Sequence, residues 1–253
     1  MDRNDLMIGP VLMAACLLAA APAFAQAAGD HARDPKTTEV WAPVPTIVAT
    51  PVGIAPSDAI VLFDGRDVSA WESEQGGRVP WSVADGALTV VPGSKGIRTR
   101  QSFCDIQLHV EWRTPVETKG FEGQNRGNSG IFLQALYELQ VLDSYNNATY
   151  ANGQAGSIYK QAMPLVNASR APGQWQSYDI IWKAPRFSQG GGLTTPARIT
   201  VLHNGVLVQD DTVLAGKTEY IGAPSYAPHA CAPLYLQEHD SKVSYRNIWV
   251  REL

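Results

Sequence analysis

From residue 57 onward, apolar residues recur with period 2 in short runs broken by turn signals. Nowhere do they keep the 3.6-residue period of a capped helix. Ile106, Leu108, Val110 and Trp112 alternate with Gln107, His109 and Glu111, so one side of that run is apolar and the other polar. Asp85-Gly86 separates residues 81–84 from residues 87–91, and Asn204-Gly205 separates 198–202 from 206–209. Both dipeptides suit two-residue hairpins. Runs at 59–63, 178–182 and 245–251 continue the series. Many strands, hairpin turns and no helix predict an all-β fold, a sandwich or jelly roll.

Three strand-like stretches carry chemically capable side chains where ordinary strands would be apolar or solvated: 128–134, 137–143 and 234–240. Period 2 puts Glu138 and Gln140 on one face and Leu139 and Val141 on the other. By the same rule Tyr235, Gln237 and His239 share a face opposite Leu234 and Leu236. A carboxylate, an imidazole, amides and a phenol on sheet faces describe the floor of a polar-ligand cleft. Segments 113–127 and 144–177 are long and rich in Gly, Asn, Gln and Pro, and loops of that length tend to be functional.

The N-terminus reads as an export signal. Residues 6–23 are almost wholly apolar, and Ala23-Phe24-Ala25 fits the small-x-small cleavage rule, so residues 1–25 are expected to be removed. A membrane anchor is the competing reading, but about 18 apolar residues sit at the short end of a span. Lipid attachment at Cys16 is a weaker alternative, because the apolar run continues past it. The expectation is a periplasmic or secreted protein with no stable membrane insertion. Residues 26–57, with five prolines from Pro35 to Pro56, read as an extended linker, and the folded unit as residues 58–253. Cys104 and Cys231 would remain after cleavage; in an oxidising compartment they could bridge, or they could stay as buried thiols. The formal net charge of -4 includes no basic stripe, which argues against a nucleic-acid partner.

The order of several short motifs resembles the 3-keto-disaccharide hydrolase family, described as 3-keto-glycoside lyase/hydratase domains. They are Leu62-Phe63-Asp64-Gly65-Arg66-Asp67 with Trp71, then Trp81 and Asp85-Gly86, then Asn128-Ser129-Gly130-Ile131 and Tyr137 to Asp143. Gly156-Ser157-Ile158-Tyr159, Trp175, Asn204-Gly205, Leu236-Gln237-Glu238-His239 and Arg246-Asn247-Ile248 complete the set. The resemblance covers about residues 58–253. It implies a concanavalin-like β sandwich acting on carbohydrate whose 3-hydroxyl has been oxidised to a ketone, with a separate sugar 3-dehydrogenase acting upstream. One departure is visible: Glu238 and Asp240 flank His239 where the family usually has Asp and Gly. Asp240 lacks glycine's conformational freedom.

A ketone at carbon 3 acidifies the hydrogen at carbon 2, and loss of that proton allows the carbon 1 substituent to leave. Such chemistry needs a base, an acid and donors for the enolate oxygen. Glu138 and His239 are the expected catalytic residues, with Gln140, Gln237, Asn128, Arg246, Asp143 and Tyr159 expected to bind substrate. Each has a bland reading beside it: Glu138 could pair with Arg246, and Asn128 could satisfy loop backbone. Glu138, Asp143, Glu238, His239 and Asp240 are potential ligands of a divalent metal ion, but no spacing is diagnostic. Two other functions compete. A carbohydrate-binding module would use the same fold without chemistry. A retaining glycosidase would need a second carboxylate about 5–5.5 Å from the first, and the same-face neighbour of Glu138 is an amide.

Overall fold

The computed structural model of the protein describes residues 34–253. The expected signal peptide, its cleavage after Ala25 and the alternative at Cys16 lie outside the described residues. Among those described, no helix is long and apolar enough to cross a membrane. Contacts divide the chain into units Met1–Ile47 and Val48–Leu253. The described part of the first unit holds one 3-10 turn, Pro35–Thr38, whose N-cap Asp34 accepts from the Lys36 backbone N–H. The second unit begins ahead of the boundary expected at residue 58. Its opening segment is tied by Ser57 N–H donating to Ala49 O at 3.0 Å and Ala49 N–H donating to Ser57 Oγ at 3.0 Å.

Strands of the second unit are β1 (Ile60–Phe63), β2 (Trp71–Ser73), β3 (Ser82–Ala84), β4 (Ala87–Thr89) and β5 (Ile97–Phe103). They continue as β6 (Ile106–Arg113), β7 (Ser129–Leu133), β8 (Tyr137–Val141), β9 (Gln176–Lys183) and β10 (Arg186–Phe187). The rest are β11 (Leu193–Thr195), β12 (Arg198–His203), β13 (Val206–Val213), β14 (Ala232–Leu236) and β15 (Ser244–Glu252). One antiparallel sheet runs β13-β12-β9-β6-β15-β4-β3, with β1 also paired to β15; the other runs β2-β5-β14-β7-β8. β10 and β11 form a separate hairpin. The fold is the expected all-β sandwich.

Period 2 explains how the layers meet. In β6, Ile106, Leu108, Val110 and Trp112 are all buried while the residues between them are partly exposed. Tyr178, Ile180 and Trp182 do the same in the neighbouring β9. From the other sheet come Ile131, Leu133, Leu139, Val141, Leu234 and Leu236, closing one contiguous core. Removing a buried indole such as that of Trp112 would cost about 3–5 kcal/mol.

Strands β2 and β5 carry no signal of the kind that marks β6 and β9. β2 is three residues long, and Arg98, Arg100, Gln101 and Ser102 of β5 interrupt the apolar alternation because they face outward. Cys104, in the turn after β5, is disulfide-bonded to Cys231, just before the paired strand β14. The bridge closes a long loop and thereby restricts the unfolded chain.

Candidate active site

Across the five-stranded sheet, Glu72, Arg98, Tyr235, Phe132 and Glu138 stand directly opposite one another, one per strand, on the face turned away from the core. At the β2 end the row is an ion pair: Glu72 Oε1 lies 2.9 Å from Arg98 Nη2. In the middle, Tyr235 donates to Glu74 Oε2 at 2.8 Å and meets the Phe132 ring edge-on, centroids 5.3 Å apart. At the β8 end the row closes with Glu138, only 6% exposed.

Gly130 makes room for that carboxyl. It lies opposite Gln140 in the β7–β8 ladder, and a Cβ built on it would come within 2.7 Å of Glu138 Oε1 and 2.8 Å of Phe132 Cε2. Its missing side chain thereby shapes the site. No cation contacts Glu138, and burial alone pushes its carboxyl up from the ordinary 4.5 to about 8. Its backbone N–H donates to Thr218 Oγ1 at 2.9 Å.

Glu138 forms part of the wall of a cavity of about 550 Å³. Of the residues expected from the sequence, the cavity brings together Glu138, Asn128, Tyr159, Gln237 and His239. Asn128 donates to Gln124 O at 2.7 Å, and its own Oδ1 is buried without a partner, as is Gln237 Oε1. Two orphaned amide oxygens at one cavity are acceptors waiting for donors such as sugar hydroxyls. Tyr159 shares a 2.6 Å hydrogen bond with Tyr150, and burial raises its pKa.

His239 reaches the cavity by a different route from the one expected. β14 ends at Leu236, so Gln237 and His239 sit in the following turn rather than on a strand face. Gln237 N–H still donates to Gly130 O at 2.9 Å, which carries the chain in register for one more residue. Then Glu238 turns its carboxylate back to accept from Asp240 N–H at 2.6 Å and Gly93 N–H at 3.2 Å. Asp240 adopts φ 55°, the left-handed conformation glycine would take, so the departure from the family pattern is accommodated. His239 is exposed at the cavity's edge.

Three expected substrate contacts are placed elsewhere. Gln140 shares the face of Glu138 but is 1% exposed, donating to Gln124 Oε1 at 2.9 Å. With its amide turned over, its nitrogen would lie 3.2 Å from Glu138 Oε1; in either orientation its burial keeps it from substrate. Asp143 lies beyond the end of β8, 2% exposed, with Oδ2 2.9 Å from Arg126 Nε. Its backbone N–H donates to Arg126 O at 3.1 Å, pinning the loop that bears Gln124, Asn125 and Asn128. Arg246 is on the outer face of the other sheet, bonded to Glu111 Oε2 at 2.6 Å and stacked 4.1 Å from the Trp175 ring. The anticipated Glu138–Arg246 pair is absent because the core separates them. Among the described residues, no three His, Cys, Asp or Glu side chains form a metal-binding group, and the five anticipated ligands do not assemble into one.

The sequence reading missed Lys160, Tyr150 and Tyr220. Lys160 has φ 58° and donates from Nζ to Tyr220 O at 2.6 Å, with Nζ 4.1 Å from that ring's centroid. It is the one Lys or Arg among the described residues lining the cavity. Only its position next to Tyr159 in the Gly156–Tyr159 motif could have drawn notice. Thr218 and Tyr220 lie in an irregular segment with no periodic signal.

The opposite sheet braces the site through the core. Tyr178 donates to Gln140 O at 2.8 Å, and Tyr245 donates to Ser129 Oγ at 2.7 Å, which in turn donates to Gln237 O at 2.6 Å. The backbone of β8 and of the turn after β14 is thus held from below by the opposite sheet.

Fold and site define a β-sandwich protein with one polar, aromatic-rimmed cleft built on the smaller sheet. The chain belongs to the 3-keto-alpha-glucoside-1,2-lyase-like domain family, whose model matches residues 58–251. It is similar to the crystal structure of a candidate glycosyl hydrolase from Parabacteroides distasonis, with 51% identity and TM-score 0.83, covering 87% of this chain and 97% of that one. A second candidate glycosyl hydrolase from the same organism, 20% identical with TM-score 0.55, covers 78% of this chain and 94% of its own. At that identity the likeness speaks for the fold alone. None of the curated proteins matches the chain.

Proposed function

We propose that the protein cleaves 3-keto-glycosides by proton abstraction at carbon 2, β-elimination of the aglycone and hydration of the resulting enone. The observation that carries this reading is a single buried carboxyl in a cavity that also presents an imidazole and has no second carboxylate among its described lining residues. A conventional glycosidase needs two carboxylates; enolate chemistry needs one base and one acid.

Glu138, desolvated on the cavity floor, is the base. Its raised pKa makes the ionised form a stronger proton acceptor than an ordinary carboxylate. His239, on the exposed edge, gives a proton to the departing glycosidic oxygen. The electron pair of the carbon 2–hydrogen bond then forms the carbon 1–carbon 2 double bond as the carbon 1–oxygen bond breaks. In hydration the roles reverse: His239 takes a proton from water as its oxygen attacks carbon 1, and protonated Glu138 returns a proton to carbon 2. The sum is hydrolysis, and both residues return to their starting states. Lys160 is the cation available to the enolate oxygen. The buried acceptors of Asn128 and Gln237 are suited to sugar hydroxyls. An upstream oxidation of the 3-hydroxyl must supply the ketone.

Glu138→Gln and His239→Ala test the assignment. Each should lower turnover of a 3-keto-glycoside by roughly 10²–10⁴-fold while leaving the fold intact. Activity within a fewfold of wild type in either variant would remove that residue from the mechanism.

A further inference from the structure

A second cavity, of about 260 Å³, adjoins the cleft and has a different character. Its walls include Pro92, Pro115 and Phe121, with Phe121 47% exposed. Two stretches of chain serve both cavities. In the first, Phe121 and Gly127 face the small cavity while Gln124, Asn125 and Asn128 face the large one. In the second, His239 faces the large cavity and Asp240, Ser241 and Lys242 the small one. The two spaces therefore lie side by side, with His239 and Asn128 at their common border.

The shared wall is firmly set. Gly127 has φ 61°, and a Cβ there would lie 2.8 Å from Thr114 Cβ and 3.1 Å from Asp143 Cβ, so the loop is packed flat against its support. The Arg126–Asp143 pair fixes it from beneath. A cavity of about 150 Å³ suffices to hold benzene. The small cavity therefore has space for one planar ring.

We propose that this cavity receives the leaving group and selects glycosides whose aglycone carries a planar apolar ring. The inference rests on the reaction proposed above. A sugar in the large cavity with its aglycone in the small one would place the glycosidic oxygen at the border, beside His239, where the acid is needed.

The test uses two 3-keto-glucosides with leaving alcohols of similar acidity, ethyl and 2-phenylethyl, so that selection is read apart from leaving-group chemistry. Wild-type kcat/KM should favour the phenylethyl compound by about tenfold or more. Phe121→Ser should bring the ratio close to one; the residue is exposed, so little stability is at stake. A wild-type ratio near one, or an equal fractional loss on both substrates in Phe121→Ser, would overturn the proposal. If neither ketone is turned over, the proposed reaction fails by itself, and affinity decides the cavity. Tighter binding of the phenylethyl compound that Phe121→Ser abolishes would support it, and equal binding of the two would overturn it.

Discussion

Glu138 carries the largest consequences of any single residue. Its carboxyl has an ordinary value of 4.5 and is raised to about 8 in the fold by loss of water. Between those values the folded chain holds a proton that the unfolded chain has released. Stability therefore falls as pH rises through that interval, by up to a few kcal/mol. Glu138→Gln removes the titration, so wild type should lose stability relative to this variant between pH 4.5 and 8. A constant difference in denaturant midpoints across that range would show that the carboxyl is not desolvated. The base role has a kinetic counterpart: in His239→Ala, where the proposed acid no longer titrates, residual kcat/KM should rise with pH through about 8, and a fall there would make Glu138 the acid instead.

Gly130 offers a separate test at the same scale. Gly130→Ala puts a methyl group too close to both the Glu138 carboxyl and the Phe132 ring, and both must give way. About 1 Å of misplacement can cost on the order of 100-fold in rate. The contacted atoms are side-chain ends, so kcat should drop with little change in the unfolding midpoint. Unchanged kcat would mean that the carboxyl's position is not critical.

At the scale of elements, strand β8 and the turn after β14 show what was legible in the chain. The alternation Tyr137 to Val141 placed Glu138 on the outer face, because period 2 is a property of the strand itself. His239 was picked out by an alternation that the strand does not extend far enough to carry, and by the motif around it. The strand stops at Leu236, and where it stops depends on the Glu238 carboxylate capturing two backbone N–H groups, which no alternation encodes. β5 was unreadable for a related reason: its outward residues are polar, three of them consecutive, and its pairing with β2 and β14 is long-range. Arg246 was misassigned because strand period identifies a face without telling which of two sheets bears it.

Asp143 tests the loop as an element. Expected as a substrate contact, it is a buried ion partner of Arg126. Asp143→Ala leaves that guanidinium without its partner and should destabilise the domain by on the order of 3 kcal/mol, a loss visible in chemical denaturation. kcat/KM should fall as well, since the loop bearing Gln124 and Asn128 is released. Reduced activity at full stability would return Asp143 to the role of substrate contact.

For the molecule as a whole, the sandwich was legible because hairpin dipeptides and alternating runs all pointed to the same fold class. The convergence of the site was not, because it is assembled from β7, β8, the turn after β14 and three irregular segments distant in sequence. Lys160 and Tyr220 lie 60 positions apart in the chain and only the fold brings them together. The sheet opposite the cleft contributes through Tyr178 and Tyr245, hydroxyls that a core strand would not otherwise need. Those two bonds tie site geometry to the integrity of the whole sandwich.

The central claim is that the ketone is what makes the glycosidic bond breakable here. Aglycone release from a 3-keto-glucoside and from its unoxidised parent, measured side by side with purified protein, tests it most directly. The account predicts release from the keto sugar and none from the parent. Equal release from both would establish a conventional glycosidase, and binding without release from either would leave a carbohydrate-binding module; each result contradicts the account.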